Sequence, residues 1–318
     1  MRVASVLAAL CLHASGAFAA ELDCAQLKLI VPYPAGGATD VAARVVGERL
    51  ESSLRKSVII ETRPGATGNI GTVAVINSKP DGCTLLVNGA VIATFPASFT
   101  RLNYDPLKDL VPIGGIGITP TLLVAAPSVA ATDIKSLVQL SKDKPQGLSF
   151  STAGYGLLQH LAVEEIGQRT GGKFTHIVYK GGGQATTDLI TARVDFGSFA
   201  AGTVTSFLED GKLKALAVIQ DQRSALVPKV TSTAEQGLPG LNAGVHFMLF
   251  APAGTPKDVV ILLNRELRKI VSDPAMKQRF VKIGFDPTPS SPEEAAEALR
   301  KTGETWAPLI KRLDIKLD

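Results

Sequence analysis

A chain of 318 residues, 45% apolar and 19% charged, is too long for one comfortable core and too apolar for disorder, so two lobes are expected. Its formal charge of +4 arises from 33 basic and 29 acidic residues that form no basic stripe, which argues against a nucleic-acid partner.

Arg2 precedes an apolar run over 3–12, and Ala17-Phe18-Ala19 then supplies a small-x-small cleavage site. A membrane anchor would need about 20 apolar residues; this run is shorter and is broken by His13, Ser15 and Gly16. A cleaved signal peptide over 1–19 and a periplasmic mature protein are expected. Neither Cys11 nor Cys24 follows the small residue that a lipoprotein site wants. Cys11 leaves with the signal, so an exported chain retains one pair, Cys24 and Cys83.

The mature chain alternates strands and helices. A strand over 27–31 leads through a turn at 33–40 into a helix over 41–54, with Val41, Val45, Val46, Leu50 and Leu54 at helical spacing. A strand over 58–60, a helix over 70–77 and a strand over 84–87 follow. Such alternation implies parallel strands with crossover helices. Neighbouring first and third strands would bring Cys24 and Cys83 together, so a disulfide is expected; two separate thiols are the alternative. The stretch 104–127, rich in Gly and Pro, reads as a crossing to a second lobe. There a strand over 148–151, a helix over 157–168, a strand over 174–178, a helix over 185–192 and strands over 194–196 and 214–218 repeat the style. A second Gly/Pro-rich stretch, 237–244, precedes the apolar segment 246–251, and helices over 257–271, 275–283 and 292–313 close the chain. Two crossings divide the chain into a first domain of 20–122 with 247–318 and a second of 123–246. The fold class is therefore α/β: two doubly wound domains with a ligand cleft between them.

Tyr33-Pro34-Ala35-Gly36-Gly37-Ala38-Thr39-Asp40 lies between a strand and a helix. Such a turn offers free N–H groups and a positive dipole end, and its glycines let a ligand reach main chain. That suits an anionic head group; an ordinary tight turn with Asp40 as the helix N-cap is the alternative. Ser151-Thr152-Ala153-Gly154-Tyr155-Gly156 repeats the arrangement in the second lobe and adds two hydroxyls. His160, one turn into the helix, either reaches the cleft or packs on its neighbours. Gly181-Gly182-Gly183 is a third glycine-rich helix start, explained equally by close packing. Arg63 either attracts an anion or pairs with Glu61, the latter being favoured.

Catalytic readings find little support. Gly167-Gln168-Arg169-Thr170-Gly171-Gly172-Lys173 has Phe174 where a phosphate loop needs Ser or Thr. His160, His176 and His246 lack metal spacing, and Asp188 and Asp195 form no evident pair, so neither metal nor cofactor is expected.

The motifs, in order, resemble the substrate receptors of tripartite tricarboxylate transporters, the Bug-type family. The matching blocks are Ile30-Val31-Pro32-Tyr33-Pro34-Ala35-Gly36-Gly37 with Asp40, Ala43 and Arg44; Arg63-Pro64-Gly65 with Gly68-Asn69-Ile70-Gly71; and Pro80-Asp81-Gly82. Then come the 151–156 turn with His160-Leu161, Tyr179-Lys180-Gly181-Gly182-Gly183, Gly211-Lys212-Leu213-Lys214-Ala215-Leu216-Ala217 and Phe250-Ala251-Pro252-Ala253-Gly254-Thr255-Pro256. The resemblance implies a monomeric Venus-flytrap receptor, like other periplasmic binding proteins, that hands its ligand to a secondary transporter of two membrane subunits. It also implies that the turns at Tyr33, Pro34, Ala35, Gly36, Gly37 and Asp40 and at Ser151, Thr152, Ala153, Gly154 and Gly156 pinch a carboxylate through main-chain amides and water. His160 is included in this set. Two departures bear on the ligand. Leu157-Leu158 replaces a Ser-Pro pair, and Phe199 stands where some members place an acid that meets a ligand ammonium. His246 replaces the usual aromatic residue and lines either the cleft or the hinge. The expected function is capture of a small organic carboxylate other than an amino acid, without catalysis. An exported enzyme on the same scaffold and a ligand-presenting receptor for a signalling protein are the alternatives.

Overall fold

The computed structural model describes residues 22–224 and 226–317; the expected signal peptide lies outside them. Strand β1 (Gln26–Val31) alternates exposed and buried residues and then ends in buried Leu29-Ile30-Val31. That pattern suits a strand covered on both faces at its carboxyl end. Helix α1 (Ala38–Leu54) buries Ala42, Val45, Val46 and Leu50 along one stripe. Next come β2 (Ser57–Thr62), α2 (Asn69–Ile76) and β3 (Thr84–Gly89). β1 lies parallel between β2 and β3, which places Cys24 and Cys83 at neighbouring strand starts. They are joined in the expected disulfide, with Cα atoms 6.1 Å apart.

After α3 (Phe95–Ser98) the chain runs through β4 (Leu110–Thr119), passes Pro120 and starts β5 (Thr121–Ala125). A second sheet grows from α4 (Ile134–Asp143), β6 (Leu148–Thr152), α5 (Leu158–Thr170), β7 (Phe174–Ile177), α6 (Gly182–Ile190), β8 (Phe196–Ala200), α7 (Ala201–Glu209) and β9 (Lys214–Val218). β10 (Val245–Pro252) returns to the first sheet, and α8 (Lys257–Ser272), α9 (Pro274–Lys282) and α10 (Pro292–Arg312) follow.

The strand orders are β2-β1-β3-β10-β4 and β7-β6-β8-β5-β9. In each sheet the strand arriving from the other one, β10 or β5, runs antiparallel to its neighbours. The sheets are therefore mixed, with one strand in each running against the parallel strands that the alternation implied. The register shows why: Phe247 near the start of β10 pairs with Gly89 at the end of β3, so the incoming strand enters where its neighbours finish. β5 begins at Thr121 and β10 at Val245, so the expected divisions at 122/123 and 246/247 fall just inside these strands.

β4 is also a strand where the sequence suggested only a crossing. It is an edge strand, where Pro112 can be tolerated. Its glycines answer to a segment laid over the backbone: a Cβ on Gly115 would come 2.6 Å from the Thr288 carbonyl oxygen, and one on Gly117 2.9 Å from that of Asp286. Leu29 and Val31 face one core with Leu263 and Leu267 of α8, while Ile30 faces another with Met248, Phe250, Ala295 and Leu299. Beyond the first sheet, α10 reaches the second: Arg312 pairs with Glu165 of α5. The Leu317 N–H donates to the Ser98 carbonyl at 2.8 Å while its side chain lies against Gly156.

Candidate functional site

The first turn leaves the carboxyl end of β1 with Pro34, Ala35, Gly36 and Gly37 exposed. Helix α1 begins at Ala38, with Gly37 as N-cap, so Asp40 is not the cap that its type suggested. Asp40 sits inside the first turn and folds back, accepting the Gly36 N–H at 3.0 Å and the Arg44 Nε–H at 2.9 Å. Burial would raise this carboxyl, but Arg44 and the Gly36 amide outweigh it and hold it below its ordinary value. The Gly36 amide is thus engaged by the protein. The amides at the start of α1 remain, for the first N–H groups of a helix have no carbonyl within it and no side chain caps this one. Gly36 has φ of +85°, a conformation glycine reaches freely, and the side where its Cβ would stand is open. Gly37 has ordinary φ of −77°, and a Cβ there would meet only the Pro34 oxygen at 3.6 Å. Tyr33 anchors the turn from behind: its hydroxyl donates to the Thr67 carbonyl at 3.2 Å and its ring packs on Gly68. Burial raises its pKa and keeps the phenol neutral.

The second turn holds the same place after β6, and α5 likewise starts without a side-chain cap. Its environment differs. Of residues 151–156 only Ala153 and Tyr155 keep partial exposure. Ser151 is buried with its hydroxyl toward the Ala185 carbonyl at 3.5 Å. The Thr152 hydroxyl donates to the Gly154 carbonyl at 3.0 Å and lies 2.9 Å from His176 Nε2. The hydroxyls expected to serve as ligand donors are therefore turned into the lobe. Leu157, the N-cap of α5, packs on Gly154. Gly182 places the start of α6 beside the turn, where an added Cβ would stand 3.9 Å from the Ala153 Cβ, while Gly181 and Gly183 stay open.

The remaining candidates are less exposed than the sequence suggested. His160 is only 2% exposed; its Nδ1 accepts the Gly156 N–H at 3.1 Å and its ring stacks on His176 and lies tilted against Tyr155. Phe199 has no exposed surface and lies over Gly197 in the second sheet. Arg63 pairs with Glu61 at 2.6 Å, the favoured reading. His246 lines a hollow of about 340 Å³ between β4, β10 and α10, with Ile118, Met248, Ser290 and Glu294. The Asp188 and Asp195 carboxylates serve the scaffold, binding Tyr179 with Arg193 and Ser149 with Lys144. No group of residues able to hold a metal occurs among the described residues. The sequence reading passed over Tyr155 as a contact and weighed His176 only as a metal ligand; nothing in the spacing of His176 links it to a turn that only sheet register brings near.

Two sheets joined by two crossings, each with an uncapped helix starting at the end of a strand, define a bilobal solute-binding protein. The model of the tripartite tricarboxylate transporter family receptors matches residues 42–315, and the chain belongs to that family. BugT of Bordetella pertussis is 33% identical over 293 residues, covering 92% of this chain and 90% of BugT. R. palustris Rpa4515, solved with adipate, superposes with a TM-score of 0.86 at 28% identity over 90% of this chain and 96% of its own. MatC from Rhodopseudomonas palustris, with bound malate, gives 0.83 at 27% identity over 90% and 98%.

Proposed function

We propose that this receptor captures a small non-amino carboxylate between two lobes, 22–119 with 245–317 and 121–243, and delivers it to a secondary transporter of two membrane subunits. The observation that carries the reading is the repeated, uncapped helix start after β1 and after β6. Each leaves N–H donors and a positive dipole end at the carboxyl end of a strand. The first turn supplies amides from Gly37 onward, and the second presents Ala153 and Tyr155. Adipate in one relative and malate in another set the ligand class to test first. The receptor works in the periplasm as a monomer and leaves its ligand chemically unchanged; the family consists of receptors.

Selectivity against amines rests on the 198–202 segment, Ser198-Phe199-Ala200-Ala201-Gly202, which carries no acid. Asp195, just before it, is already held by Ser149 and Lys144. Desolvating an unpaired ammonium costs several kcal/mol, enough to abolish measurable affinity. Calorimetric titration with succinate against aspartate, and adipate against 2-aminoadipate, tests this. Saturable heat from a diacid, no heat from its amino analogue and unchanged ligand on recovery are expected. Tight binding of an amino acid, or turnover of the acid, would overturn the reading.

A further inference from the structure

We propose that His160 and His176, both neutral and both protonated on Nε2, are positioning residues that latch the 151–156 turn. This rests on the reading that the turn takes part in ligand capture. The hydrogen bonds assign the tautomers. Thr152 has one hydroxyl proton, and it goes to the Gly154 carbonyl at 3.0 Å. The contact of 2.9 Å between Thr152 Oγ1 and His176 Nε2 must then be donated by the imidazole. His176 Nδ1 is consequently bare, and it is buried with no hydrogen-bond partner among the described residues. For His160, the Gly156 N–H donates to Nδ1 at 3.1 Å, so its proton is on Nε2, which lies 3.4 Å from Glu164 Oε1. One histidine thus holds the start of the turn and the other its end.

The two rings stack with centroids 4.2 Å apart, between Phe150 and Tyr155. Two imidazolium charges at that distance would repel inside a buried stack. Burial, and then the neighbouring His160, push His176 down to about 3, so it stays neutral. The groups around the pair are few. Glu164 faces His160 from α5, Tyr155 from the turn, Phe150 and Thr152 from β6 and His176 from β7. The C-terminal tail brings apolar Leu317 onto Gly156, and Arg312 of α10 is occupied by Glu165.

Imidazole nitrogen NMR and amide exchange on the free protein test the latch without any ligand. A bare Nδ1 on both rings at about pH 8 is expected, with slow amide exchange at Gly156. His160→Asn keeps an acceptor where Nδ1 stood, so it should retain slow exchange there. His160→Ala should exchange faster at Gly156 by about tenfold, and His176→Gln, which keeps a donor, should protect Gly154 better than His176→Ala. A proton on Nδ1 of either ring at about pH 8, or equal protection of Gly156 in His160→Ala and wild type, would overturn the latch. Adipate titration then separates the two readings: weaker binding in His160→Ala than in wild type or His160→Asn supports both. A latch lost in His160→Ala with unaltered adipate affinity would refute the part of the turn in capture and leave the latch standing.

Discussion

On the proposed reading, Gly37 controls access to the first turn. Its backbone is of a kind any residue adopts, and the space beside it is open, so a side chain there costs the fold little. Gly37→Val should melt within about 0.5 kcal/mol of wild type, the range of ordinary surface changes. It should nevertheless lose carboxylate binding, because the branched side chain stands over the amides at the start of α1. Retained affinity in a calorimetric titration would show that ligand does not approach main chain here. Asp40 makes a different prediction. Its pKa is lowered in the folded protein, so its contribution is present above the unfolded value and is lost as pH falls through the lower, folded one. Denaturant melts below about pH 4 should show wild type losing stability with a steeper slope than Asp40→Asn. Equal slopes would mean that the Gly36 and Arg44 bonds do not favour the ionised form. At this scale the sequence was a partial guide. Residue type and spacing marked both turns, since a glycine pair between strand and helix has few other uses. They could not reveal that Thr152 turns inward or that Phe199 is wholly buried, because the side on which a strand residue points depends on register with β5 and β7.

Strand adjacency is the clearest success among the elements. The order β2-β1-β3 sets β1 beside β3, and that adjacency brings Cys24 to Cys83. Replacing both cysteines by serine should lower unfolding free energy by up to about 4 kcal/mol, less if the reduced chain keeps residual structure. Unchanged denaturant midpoints with and without reductant would contradict that role. Elements were missed where glycine and proline stood in for chain packing. β4 reads as a loop because Gly114, Gly115 and Gly117 are there for the 286–290 segment and α8, neighbours far away in sequence. α4 carried a local sign that went unread: Asp133 and Ser136 form a capping box. The antiparallel course of β5 and β10 has no local signature, since it follows from the chain changing sheets.

Across the whole molecule, each sheet receives one strand from the other, and α10 with its tail touches both lobes. Any movement between lobes must pass through Pro120 and the segment before Val245, where the Ala201 N–H donates to the Pro120 carbonyl at 2.8 Å and Ile118 bridges to Asp286. Those contacts leave the first turn exposed on one lobe and Ala153 and Tyr155 partly exposed on the other. A crystal structure of the protein grown with adipate measures the central claim directly. The account predicts one adipate carboxylate accepting from amides at the start of α1, from Gly37 onward, with the turn at Ala153 and Tyr155 closing on the same group and no Arg or Lys side chain on it. A carboxylate seated on Arg63 or Arg44, or lodged beside His246 with Gly37 remote from it, would contradict the account.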